Sequence, residues 1–158
     1  MLKRYILIAL FLLTGSAFAQ YLSYNDWISL IKIADNKAGV KKYLINKGLE
    51  YFDEGVKNDV IYITYTKTIG RDQYLVSTAY HPAKGTKTVS EMSSSASRWD
   101  YYKKTANANG FIFIGNSTKP GGGVKSSYKN GKYNLSLLNE TVKGEKLYQM
   151  VLVLSAGK

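Results

Sequence analysis

The sequence predicts an α+β domain in which helices pack on one face of a curved antiparallel β-sheet, built from two degenerate helix-plus-three-strand units. Three observations carry that expectation. Apolar residues recur at helical spacing in "SYNDWISLIKIADN" and switch to a period of two after Gly48. Short turn-like stretches separate the alternating runs, which favours antiparallel neighbours. Passages through glycine into an apolar-aromatic run occur twice, as "GLEYF" at 48–52 and "GFIFI" at 110–114, the trace a duplicated unit leaves.

The opening stretch "MLKRYILIALFLLTGSAFAQ" places Lys3 and Arg4 before an apolar run and small residues before Gln20. That layout reads as a signal peptide over residues 1–19, cut after "AFA". Its apolar run is shorter than the roughly 20 residues of a spanning helix. Residues 20–158 then read as one α+β domain of an exported protein, periplasmic or extracellular, with half-units 20–96 and 97–158.

The first helix spans the region from Ser23 to Asn36, with Trp27, Ile28, Leu30, Ile31, Ile33 and Ala34 on its apolar side and Ser23 to Asp26 supplying a cap. A second follows over Ala38 to Lys47, striped by Val40, Tyr43 and Leu44 and stopped at Gly48. "LEYF" begins a strand and "DEGVKND" turns it. "VIYITYTK" and "QYLVSTAYH" alternate β-branched and aromatic residues across the turn "IGRD". "TKTVSEM" is a short strand, and after a serine-rich connector Ser97 with Asp100 signals a third helix whose Trp99, Tyr102 and Ala106 share a face. "FIFIGN", "VKSSYK", "KYNLSLLN" and "KLYQMVLVLS" complete the strands, with Asn130-Gly131 as the strongest hairpin signal. The last run is apolar on both faces, so its place is the middle of the sheet.

The segments "AFAQ", "YLINKGLEYF", "GKYNLSLL" and "KLYQMVLVL" resemble those of small exported proteins of Bacteroidota, and the layout is similar to β-lactamase-inhibitor-protein-like domains. That resemblance implies helices on one sheet face, with the other face available to partners. It implies no functional residue.

Composition narrows the chemistry. The chain has no cysteine and one histidine, His81, which removes the usual ligands of zinc, copper, haem and iron-sulfur clusters. Neither a metal nor another cofactor is expected. Formal charge is +11, and residues 97–158 hold ten basic and three acidic side chains against ten and eight over residues 20–96. Such asymmetry points to an anionic partner. Nearly all the basic residues are lysine, the weaker choice for bidentate phosphate recognition, so nucleic acid is disfavoured.

"KPGGGVKSSYKNGKY" lacks the spacing and the strand-to-helix context of a phosphate-binding loop. Gly121, Gly122 and Gly123 therefore read as a flexible connection. His81 has no nucleophile elbow near it. Ser29-Lys32 and Ser126-Lys129 have S-x-x-K spacing, but the second pair points to opposite faces of a strand. Asp53, Glu54 and Asp59 form the one acidic cluster, without a calcium-loop pattern.

Fourteen tyrosines exceed what one core holds, and tyrosines beside lysines suit protein or glycan contact. The expected function is non-catalytic binding, as an inhibitor or immunity-type protein that occludes another protein through Tyr62, Tyr74, Tyr80, Tyr128, Lys129, Lys132 and Tyr133. The alternatives are a cationic envelope-associated protein that binds anionic lipid or polysaccharide, and a small periplasmic hydrolase built around His81 or Asp53.

Overall fold

The computed structural model describes residues 20–120 and 122–155, so the leader expected over residues 1–19 lies outside the described residues. Helix α1 is Tyr24–Lys32, α2 is Lys37–Asn46 and α3 is Ala96–Ala108. The strands are β1 Glu50–Lys57, β2 Val60–Ile69, β3 Asp72–His81, β4 Thr86–Ser93, β5 Ile112–Thr118, β6 Val124–Asn130, β7 Tyr133–Val142 and β8 Glu145–Leu154. All pair antiparallel in one open sheet of order β1-β2-β3-β4-β8-β7-β6-β5. Two four-strand meanders thus meet along β4 and β8, which puts β8 in the middle as its two apolar faces predict.

Local chemistry sets the boundaries. Ser23 and Asp26 cap α1 reciprocally: Asp26 N–H donates to Ser23 Oγ at 3.3 Å, and Ser23 N–H donates to Asp26 Oδ2 at 2.7 Å. The helix stops at Lys32, four residues short of the expected end, because Asn36 caps α2 by accepting from Gly39 N–H at 3.0 Å. Helices α2 and α3 end alike. Gly48 (φ 74°) and Gly110 (φ 69°) take the left-handed conformation, and the N–H groups of Leu49 and Phe111 return to Leu44 O and Ala106 O at 3.0 and 3.1 Å.

Several expectations are corrected. Each half contributes four strands, not three. "DEGVK" continues β1 instead of turning it, because an edge strand tolerates charged side chains and the two-residue hairpin needs only Asn58 and Asp59, both at positive φ (49° and 62°). The corner after β6 is Gly131-Lys132 rather than Asn130-Gly131, since Asn130 pairs with Tyr133 and donates its side-chain amide to Asn109 O at 2.8 Å, at the end of α3. That helix starts after Ser95, not Ser97, and Asp100 pairs with Lys103 at 2.9 Å instead of serving a cap.

Alternation sorts the strand residues into two faces. Toward the helices point Ile63, Tyr65, Tyr74, Val76, Val89, Leu135, Leu137, Met150 and Leu152, all in the buried cluster with Leu22, Trp27, Leu30, Ile31, Val40, Leu44 and Tyr102. Burial of each large apolar side chain contributes about 1.5–3 kcal/mol. α1 lies over β4 and β8, α3 over β8 and β7, and α2 against β1. Among the described residues, the opposite face of the sheet carries no helix.

Candidate functional site

The uncovered face has a regular relief. Strand register places Thr64, Ser77, Ser90, Val151, Ser136 and Ser127 side by side across β2, β3, β4, β8, β7 and β6. These short side chains form a row bordered on one side by Leu75, Met92, Gln149, Leu138 and Lys125, and on the other by Tyr62, Ala79, Thr88, Val153, Asn134 and Lys129. The result is a shallow trough perpendicular to the strands, walled along the Leu75–Lys125 side and open on the other at Ala79 and Thr88. At one end of it Thr64 Oγ1 and Ser77 Oγ hydrogen-bond to each other at 2.8 Å.

The expected contact residues divide between the two faces. Tyr62 lies on the uncovered face, its ring above Gly55, where an added Cβ would come within 2.9 Å of Oη; its hydroxyl donates to Asp53 Oδ2 at 3.2 Å. Lys129 is exposed on the same face. Tyr80, Tyr128 and Tyr133 are half-buried on the helix side, Tyr128 against Phe113 with ring centres 5.4 Å apart. Lys132 occupies the β6–β7 corner, its Nζ 5.8 Å from the Tyr133 ring centre. Tyr74 is no contact residue: it is fully buried, because β3 turns it inward with Val76, and its hydroxyl donates to Glu91 Oε1.

The other sequence candidates stand apart. His81 ends β3, and its Nδ1 is buried without a partner among the described residues. Ser126 and Lys129 do point to opposite faces, by their pairing with Leu137 and Asn134. Glu54 is bound to Lys37 at 2.5 Å. At the glycine connection, Gly122 N–H donates to Lys119 O at 3.1 Å and Lys119 N–H to Gly123 O at 2.8 Å, which closes it as a turn; Gly121 lies outside the described residues. Among the described residues no group of three or more His, Cys, Asp or Glu could hold a metal ion, and no helix is long and apolar enough to cross a membrane.

Two features went unread in the sequence. The first is a buried polar centre. Glu91 Oε1 accepts from Trp27 Nε1–H at 2.6 Å and from Tyr74, and Glu91 Oε2 accepts from Arg98 Nε–H and Nη2–H at 3.1 and 2.5 Å. Arg98 Nη2 also donates to Leu22 O at 2.5 Å. Five rings (Tyr21, Trp27, Tyr74, Tyr101 and Tyr102) surround the guanidinium with centroids 4.4 to 5.8 Å away. Burial pushes the Glu91 carboxyl up, against the pull of Arg98 and the hydroxyl and indole donors. The signal was present, for Glu91 alternates with Val89 and Ser93 on the inward side of its strand.

The second is a cavity of about 340 Å³ between the α1–α2 turn and β1–β3, walled by Val56, Ile61, Ile63, Thr78 and Tyr80, with Asp35, Lys37 and Glu54 at its mouth. A depression of about 310 Å³ adjoins it, lined by Lys37, Lys41, Tyr51, Glu54, Ile63 and Tyr65. Lys87 holds Asp35 at 2.6 Å, a bond that keeps the Asp35 carboxyl below the usual range. The Glu54 bond raises the Lys37 ammonium pKa.

Comparison of the chain with protein-family models, characterised proteins and solved structures returns no match.

Proposed function

We propose that this chain is an exported, non-catalytic binding protein that occludes another protein with the uncovered face of its sheet. The observation that carries the reading is the trough of short side chains along Thr64, Ser77, Ser90, Val151, Ser136 and Ser127. A floor that spans six strands, with taller Leu75, Met92 and Leu138 along one border and Tyr62 on the other, suits a protruding segment of a partner. Such a surface is preorganised, so little ordering cost falls on association.

One observation favours a second reading, binding of anionic lipid or polysaccharide. None of Lys119, Lys125, Lys129, Lys132, Lys143 and Lys146 takes part in an ion pair among the described residues. Their charge is therefore free for an anionic surface.

Capture from envelope and culture medium with native protein, and with Ser90→Arg and Ser136→Arg, tests both. Occlusion through the trough predicts one protein partner retained at moderate salt by the native chain and lost by both variants. Retention on anionic vesicles or heparin that disappears with salt, and is the same in both variants, supports the second reading. A protein partner retained equally by all three chains overturns the trough.

A further inference from the structure

The cavity beneath the α1–α2 turn and the depression beside it share Lys37, Glu54 and Ile63. We infer that together they bind a small amphipathic carboxylate, its apolar body among Val56, Ile61, Ile63 and Tyr80 and its head group between Lys37, Lys41 and the Tyr65 hydroxyl. This site lies on the helix side of the sheet and does not rest on the trough.

Three observations support the assignment. The volumes, about 340 and 310 Å³, stand near the lower end of the range for ligand sites, roughly 300–1,000 Å³, so the ligand is small. Tyr65 is fully buried and its hydroxyl has no hydrogen-bond partner among the described residues. Phenylalanine would fill the same space without a stranded hydroxyl, so the folded chain gains nothing from this oxygen unless something else accepts its proton. The third observation is charge. Lys37 and Lys41 lie one turn apart on α2 and both line the depression, where Glu54 is the one carboxylate. Lys41 has no ion-pair partner among the described residues. An incoming carboxylate completes that balance, whereas an amine would meet two like charges.

The wall chemistry selects the rest of the ligand. Val56, Ile61 and Ile63 give the wall a continuous apolar stretch, with hydroxyls beside it from Tyr62, Thr78 and Tyr80, and that stretch favours an alkyl or aromatic body. Asp35 at the mouth is already neutralised by Lys87.

Octanoate is the probe, with octanol and octylamine as controls of equal length, titrated by calorimetry and by amide chemical-shift mapping. Octanoate is expected to saturate a single site, with shifts at Ile61, Ile63 and Tyr65, and to bind about tenfold more tightly than either control, the worth of hydrogen bonds to a charged group. Tyr65→Phe should weaken octanoate several-fold, leave octanol unchanged and keep or raise the thermal midpoint. Ile61→Trp, at a position 44 % exposed and thus outside the core, should fill the cavity and weaken both. Absence of octanoate binding, equal binding to native protein and both variants, or shifts confined to the uncovered face around Ser90 would each overturn the assignment.

Discussion

Glu91 and Arg98 form an ion pair inside the core, with Arg98 Nη2 2.5 Å from Glu91 Oε2 and side chains 0 % and 4 % exposed. The pair ties β4 to α3, and through Trp27, Tyr74 and Leu22 it also holds α1, β3 and the segment that precedes α1. Removing one partner strands a buried charge, which costs about 3–5 kcal/mol. Arg98→Met is therefore expected to lower the urea midpoint severely. Replacing both, as Glu91→Leu with Arg98→Met, should cost less than the sum of the single changes. Strict additivity of the two in denaturant unfolding would show that the charges do not depend on each other.

Acid stability should hinge on Asp26. Burial alone would raise this carboxyl, but bonds from Lys47 (2.7 Å), Tyr43 (2.6 Å) and Ser23 outweigh it and hold the group at about 2, below the ordinary 3.8. A carboxyl depressed in the folded state adds stability above its unfolded pKa and loses it as pH falls through the folded one. The loss thus belongs between about pH 4 and pH 2. Tyr43 is the mirror case: burial and the bond to Asp26 push it up to about 12 from 10.0, so stability should fall again between those values. Asp26→Asn should flatten the acid limb in thermal melts taken across pH. An unchanged slope would contradict the assignment.

Periodicity and turn chemistry made most of the fold legible in the sequence: three helices, the strand order from helix to sheet, and a central β8. Boundaries failed where a residue served another element, as Asn36 caps α2 and Asn130 reaches the end of α3. Local pattern cannot show such loyalties, because the partner lies across the chain. The candidate site was less legible for a related reason. Alternation along β2 sets Tyr62 and Tyr65 on opposite faces, yet which face is covered depends on helix docking. Tyr74 consequently fell inside, whereas Lys37, Glu54 and Tyr65 converge only once α2 rests against β1.

The glycine connection between β5 and β6 behaves as a built turn in the packing around Gly123. A Cβ there would lie 3.0 Å from Glu140 Cβ and 3.3 Å from Asn139 O, and a backbone oxygen cannot swing aside as a side chain can. At Gly122 nothing lies within 4 Å, but φ is +89°, a conformation L-residues resist. Gly123→Ala should destabilise by about 1–3 kcal/mol through overpacking, and Gly122→Ala by about 1–2 kcal/mol through strain. A freely mobile loop would tolerate both, so two unchanged unfolding midpoints would refute the turn.

The two edges of the sheet differ in how they resist pairing with another chain. β1 intersperses Glu50, Asp53, Glu54 and Lys57 among its apolar residues, whereas β5 from Ile112 to Thr118 has no charged side chain. On β5, Ile112, Phe113 and Ile114 are 71 %, 52 % and 63 % exposed, beside unpaired backbone groups. Such an edge is a template for strand addition, and only the bulge between Phe113 and Gly115 interrupts it. Ile112→Lys and Ile114→Lys should each leave folding stability within about 0.5 kcal/mol, as exposed substitutions do, while lowering concentration-dependent association in sedimentation velocity. Asp53→Ile should act in reverse by stripping β1 of part of its protection. If the lysine variants associate as the native chain does, the β5 edge is not the sticky one, and contact between molecules must be sought on the uncovered face instead.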